Sequence, residues 1–377
     1  MKNNQRWAPV RGLRRAQSVI AGLIVLAIGA CTDAPVAGPG GKIPGTPAKA
    51  DGALHVYTLP VEGQSVLVVG PTGETLLYDA GKDESAQGVL AVLSSVGVTH
   101  LDMVVLSHRH ENHESGIVGL ASSSLTVGSV MVSSLSSATR AAIRAEEAWR
   151  GMGAKVLTVR DTTVTLGGGA VVELIRSPLD RRTSDTTLVS HDDRSVTMVA
   201  SFAGRKFLSV GDATARLETE LWTLRPDIFL NITGLIVPSG GRYESNPFWA
   251  ENVMYGASSC YVPEDGMSDV YRDVYSYIGG RPVRDVPSRI HPQHAIFTSE
   301  SEDEEFEGCF RRVAQLSETG DVSYEYTAVD NTTMSDIYRR AGSIVHRTSV
   351  NGLVEFVVKS SGEVLVLHDE EAIEPAP

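Results

Sequence analysis

"LSHRHENHESG", residues Leu106–Gly116, places three imidazoles within six positions. Alternate side chains of an extended segment share a face, so His108 and His110 point the same way. A helix starting near Asn112 would bring His113 round to the same point. The preceding "LDMVVLS" is short, apolar and bounded by polar residues, which predicts a strand buried on both faces. Imidazoles gathered where such a strand stops suit zinc, whose bonds to nitrogen are about 2.0–2.1 Å. Three of the chain's ten histidines lie here, and that concentration predicts a metal site rather than a polar loop.

Working outward, "ALHVYTLPV", "QSVLVVG" and "ETLLYDAG" read as strands separated by Gly/Pro turns, the last two joined through "PTG". "ESAQGVLAVLSSVG" has helical spacing. A second unit runs from the strand "SVMVSS" through the helix "SSATRAAIRAEEAWRGMG" to the strand "AKVLTV". "DTTVTLGGGAVVELIRSP" predicts a hairpin, and "RSVTMVASFAGRKFLSVGDA" two strands about the turn "AGR". "ARLETELWTL" is helical, and "GLIVPSGG" a strand and turn. Alternating strands and helices with interspersed hairpins predict an α/β fold with mixed sheets between helices. From about residue 265 to 341 the pattern weakens, with "SDVYRDVYSYI" helical and "SESEDEEFEG" acidic, and reads as an insertion. "SIVHRTSVNGLVEFVVKSSGEVLVLHD" returns to β structure at 342–368, and 369–377 is a tail.

The first thirty residues carry Lys2, Arg6, Arg11, Arg14 and Arg15, no acid, and then the apolar run "VIAGLIVLAIGA". A basic flank and a short apolar run read as an export signal. "AIGAC" resembles a bacterial lipoprotein box with Cys31 as the acylated residue; an ordinary secretory signal is the alternative. Residues 31–52, rich in Pro, Gly and Ala, read as a flexible tether to the lipid bilayer. Residues 53–264 would form the core, in the cell envelope facing periplasm or cell surface. Removing residues 1–30 takes the net charge from −13 to −18. That disfavours general nucleic-acid binding. Cys260 and Cys309 could pair in an oxidising compartment or remain two thiols, and the absence of CxxC spacing argues against a cysteine zinc site.

In order and spacing these segments resemble the metallo-β-lactamase-fold hydrolases. The nearest likeness is to the hydrolase-type domain of bacterial competence (DNA-internalisation) proteins. It covers about residues 54–262 and resumes at about 343–368. The segments that carry it are the opening hairpins with their "DAG" turn, the His-x-His-x-x-His loop, the paired strands ending in Gly211–Asp212, "GLIVPSGGRYESN" and "HRTSVNGLVEFVV". The resemblance implies an αββα sandwich of two mixed β-sheets flanked by helices. Carried over position by position, His108 and His110 would hold one metal, His113 a second, and Asp212 would bridge both as the catalytic-centre carboxylate. Asp79 would order the loops as a structural turn residue.

The sequence departs from that pattern twice. Asn112 stands where the family has an aspartate ligand, and a neutral amide cannot offset a cation's charge. Ser239 and Gly240 stand where it has a final histidine. One zinc is therefore expected, with two ions or manganese as alternatives. Asn112 and His191, in "SHDDRS", are the weaker candidate ligands; His291 and His294 could enter from the insertion, and Glu114 is a candidate general base. Two functions are carried forward. One is an exported, membrane-tethered metal-dependent hydrolase of a small ester, lactone, amide or phosphodiester. The other is a non-catalytic binding or assembly lipoprotein with residues 265–341 as its partner surface.

Overall fold

The computed structural model describes residues 50–133, 140–182, 191–213, 215–241, 292–298, 310–316, 322–328, 335, 338–339 and 342–369. The segments read as an export signal, as most of a tether and as the "SDVYRDVYSYI" helix lie outside them, as do Cys31, Cys260, Cys309, His291 and the tail from 370. The first strands are β1 (Leu54–Thr58), β2 (Val66–Val69), β3 (Thr75–Tyr78), β4 (His100–Leu106), β5 (Thr126–Val132) and β6 (Lys155–Thr158). Next come β7 (Thr162–Thr165), β8 (Val171–Ile175), β9 (Thr197–Phe202), β10 (Arg205–Ser209), β11 (Gly234–Ile236) and β12 (His294–Phe297). β13 (Phe310–Leu316) and β14 (Val322–Ala328) form a separate antiparallel pair. The last strands are β15 (Ile344–Arg347), β16 (Val354–Val358) and β17 (Val364–His368).

Among the described residues one sheet has the order β17-β16-β1-β2-β3-β4-β5-β6 and the other β15-β12-β11-β10-β9-β8-β7. Both are mixed. β3 through β6 pair in parallel, as do β10, β11, β12 and β15, whereas the hairpins pair antiparallel. The closing hairpin joins the first sheet by pairing β16 with β1. The stretch read as an insertion contributes β12 to the interior of the second sheet, where Ala295, Ile296 and Phe297 are buried.

Alternation along these strands builds three apolar layers. Val105, Tyr78, Val66 and Phe356 of the first sheet meet Met198, Ala200, Phe207 and Ile236 of the second. On the outer face of the first sheet, Val104, Leu106 and Leu77 pack with α1 (Ala86–Ser95), α3 (Ile117–Ala121) and α4 (Arg140–Gly151), through Leu93, Leu120 and Trp149. The second sheet turns Leu208, Leu235 and Phe297 toward α5 (Ala215–Leu224), which supplies Leu217 and Leu221. Each such fully buried aliphatic or aromatic side chain contributes about 1.5–3 kcal/mol. Burial on both faces is why the strands read as unbroken apolar runs rather than alternating ones. The architecture is the helix–sheet–sheet–helix sandwich that the sequence predicts, and no helix among the described residues is long and apolar enough to cross a membrane.

Two turns explain local sequence choices. "AGR" is tight because Ala203 and Gly204 both take positive φ, 47° and 77°, as a type I′ hairpin turn requires. "VNG" forms a helical turn, Thr348–Asn351, before Gly352 reverses the chain at φ 65°.

Candidate metal centre

The site lies where strand ends converge. β3 ends at Tyr78 and β4 at Leu106, so Asp79 and Ser107 leave the first sheet side by side. β10 ends at Ser209 and delivers Asp212. β9 is antiparallel to β10, with Met198 opposite Ser209, so the residues just before β9 meet those just after β10. There the short helical turn Asp192–Arg194 stands beside Asp212, whose backbone N–H donates to Ser195 Oγ at 3.2 Å.

Gly211 is required at this junction. Its φ is 60°, and a Cβ would sit 2.9 Å from Ser195 Oγ and 3.0 Å from Ser107 Cβ. Gly63 is required for the same reason on the other side. A Cβ there would lie 1.8 Å from the carbonyl oxygen of Asn112, which accepts the Gln64 N–H at 3.2 Å.

His108 is fully buried, with Nδ1 2.9 Å from Ser107 Oγ and Nε2 3.1 Å from His110 Nδ1. That Nε2 is also 3.5 Å from Asp192 Oδ1 and 3.7 Å from Asp212 Oδ2. His110 Nδ1 is 2.8 Å from Asp192 Oδ1. His108, His110, Asp192 and Asp212 each present one ligand atom, and all four atoms lie within 4.8 Å of one another. A tetrahedral ion with bonds of about 2.0–2.1 Å holds its ligand atoms about 3.3 Å apart. The separations observed bracket that value, so the residues fit a divalent cation.

His113 is placed differently. Its Nδ1 is 2.8 Å from Asp79 Oδ2 and its Nε2 3.1 Å from Asp212 Oδ1, so carboxylates bracket both ring nitrogens. Burial opposes protonation of His113, but Asp212 and Asp79 outweigh it and raise its pKa to about 10. Asp212 is held well below the usual carboxylate range, because His113 and the other imidazoles overcome the cost of its burial. Burial, with His113 beside it, keeps His108 far below the ordinary imidazole value and therefore neutral, the state a metal ligand needs. His110 is raised through its hydrogen bond to Asp192.

Asp79 is wholly buried and anchors the loop. It accepts the Ser107 N–H and Ser107 Oγ–H, each at 2.7 Å, and the Gln64 side-chain amide at 3.2 Å. Its φ of 62° is a left-handed conformation that aspartate and asparagine tolerate better than most residues.

Of the other sequence candidates, His191 stacks on His110 at 5.1 Å between ring centroids and is outside the four-residue group. The backbone of Asn112 meets Gln64 and Gly63, and Ser239 falls in the short helix Pro238–Gly241 after β11. Glu114 is buried in an ion pair with Arg109. His294 belongs to a different cluster, with Nδ1 2.9 Å from His346 Nε2, while His346 Nδ1 is 3.0 Å from His368 Nε2. Burial lowers His294 to about 4 and His346 to about 3, so that chain of imidazoles is neutral at pH 7. Asp192 was not among the sequence candidates. Its signal is the β9–β10 hairpin itself, which sets residue 192 beside residue 212.

No protein-family model and no curated protein matches the sequence. Solved structures do match. A metallo-β-lactamase with a HARLDQ motif from Cronobacter sakazakii (Enterobacter sakazakii) is 22% identical over 42% of this chain and 63% of its own, with a TM-score of 0.30. The chain thus spans less than two thirds of that protein. A diphosphatase of the PhnP family is 14% identical over 65% of this chain and 86% of its own, TM-score 0.33. The metallo-β-lactamase SMB-1 is 16% identical over 57% and 85%, TM-score 0.32. These neighbours are metallo-β-lactamase-fold proteins, the class that the sequence resembles.

Proposed function

We propose that this chain is a metal-dependent hydrolase that holds a single divalent cation between His108, His110, Asp192 and Asp212. The observation that carries the reading is the convergence of those four ligand atoms within 4.8 Å. Two neutral imidazoles and two carboxylates offset the charge of one divalent ion. This set suits zinc, with manganese also accommodated by its oxygen ligands. A cation there would supply Lewis acidity and acidify a water at neutral pH, the chemistry that hydrolysis of a small ester, lactone, amide or phosphodiester needs.

The chain's own residues prepare that chemistry. Ser107 occupies His108 Nδ1 and so directs Nε2 into the site, and Asp79 fixes Ser107 in turn. His113 meets Asp79 through Nδ1 and Asp212 through Nε2, and it lies outside the four-residue group on which the single-ion reading rests. Asn112 and Ser239 agree with that, since neither brings charge or imidazole to a second position.

One observation favours the non-catalytic alternative. Four protein ligands fill a tetrahedron, which is the pattern of structural sites, whereas catalytic zinc keeps a position open. The hydrolase reading therefore requires a fifth position or displacement of one carboxylate. The test is hydrolysis of a panel of esters, lactones, amides and phosphodiesters by metal-free protein titrated with zinc. Activity should rise to a plateau at one equivalent; no turnover on any class at full occupancy would favour the structural site.

Export and tethering through Cys31 are part of the same proposal, supported by the basic flank, the apolar run and the small residues before Cys31. Cys31→Ser should move the protein from the membrane to the soluble fraction. Unchanged membrane retention would count against acylation.

A further inference from the structure

We infer that Arg109 is a positioning residue for the two histidines that flank it, acting from behind the site through Glu114 and Glu146. This rests on the metal-binding reading above and extends it to residues that touch neither metal nor substrate.

Arg109 stands between His108 and His110, and its guanidinium pairs with Glu114 and Glu146, whereas those histidines meet Asp192 and Asp212. Its side chain is 1% exposed, and those of Glu114 and Glu146 are 0% and 4% exposed. A guanidinium so buried is tolerated only where it is paired. One nitrogen, Nη1, donates to Glu114 Oε2 at 2.7 Å and to Glu146 Oε1 at 2.6 Å. Glu114 belongs to α2 (Glu111–Glu114), which also carries His113, and Glu146 belongs to α4.

The ligand loop is therefore fixed from two sides. In front, Ser107 is tied to Asp79, and the His110 carbonyl accepts the N–H groups of His113 and Glu114 at 3.1 and 3.0 Å. Behind, Arg109 ties the same loop to two helices. Displacing Arg109 moves the backbone on which both His108 and His110 are mounted, and with it the 3.1 Å spacing of their ligand nitrogens. Partners that orient metal ligands in this way are typically worth about 10–100-fold in metal affinity.

The experiment compares Arg109→Met, Arg109→Lys and Glu146→Gln in the full chain. Zinc affinity is measured by chelator competition, ligand geometry by the visible spectrum of the cobalt-loaded protein, and loop order by amide hydrogen exchange over residues 107–114. Arg109→Met and Glu146→Gln should weaken zinc about 10–100-fold, shift the cobalt spectrum and speed exchange in the loop. A lysine ammonium can donate to Glu114 and Glu146 in place of Nη1, and Arg109→Lys should recover most of the affinity. Should Arg109→Met fail to fold, Glu146→Gln decides, because Arg109 there keeps Glu114. Unchanged affinity and spectrum in folded Glu146→Gln would overturn the inference. A wild-type chain that takes up no metal overturns the metal reading instead, and the exchange rates then decide whether Arg109 holds the loop.

Discussion

Asp79→Ala is expected to destabilise the fold by about 3–5 kcal/mol, the cost of removing one partner from a buried charged pair. The carboxylate accepts from Ser107 twice, from Gln64 and from His113, and alanine leaves all four groups buried without it. Alanine is also strained at a φ of 62° by about 1–2 kcal/mol. Asp79→Asn keeps the left-handed conformation and an acceptor for the Ser107 N–H, so it should cost clearly less. Denaturant unfolding of the three proteins checks this. Equal stabilities of the alanine variant and the wild type would mean that Asp79 does not organise the rim. The same change should lower metal affinity, since Ser107 would no longer be fixed against His108.

His110→Ala and Asp192→Ala should each reduce zinc affinity by more than the roughly 10–100-fold that outer-shell losses produce, because each removes a ligand. The Asp192 result is the sharper of the two. The ligand set that the sequence resemblance implies, with His108 and His110 on one metal, His113 on a second and Asp212 bridging them, would be indifferent to Asp192. In that case His113→Ala would remove the second ion instead. Chelator competition on the two variants separates the ligand sets. His110 is the more exposed ligand, its side chain 43% accessible against 0% for His108, so its removal should leave the fold intact.

The strands about the site were legible because burial on both faces writes them as unbroken apolar runs, as in "LDMVVLS" and "QSVLVVG". Turn chemistry did the rest for "AGR" and "DAG", where positive φ falls on Ala203, Gly204, Asp79 and Gly81. β12 was not legible. Four residues within a weakly patterned stretch carry little periodicity, and their pairing with Gly234–Ile236 and Ile344–Arg347 is far from local. At the site, His108 and His110 could be named because their spacing of two is written in the chain. His113 could be placed near them, but its commitment to Asp79 comes from the parallel pairing of β3 with β4, which spacing does not express. Asp192 was hidden for a simpler reason. An acid in "SHDDRS" reads as a solvated turn, and only the register of β9 on β10 carries it to Asp212.

A single divalent cation held by two histidines and two aspartates is tested by elemental analysis of residues 32–377 after zinc loading and desalting, with Asp192→Ala carried in parallel. One zinc per chain in the wild type, lost in the variant, is the predicted result. Two zincs per chain, or one that survives loss of Asp192, would contradict it.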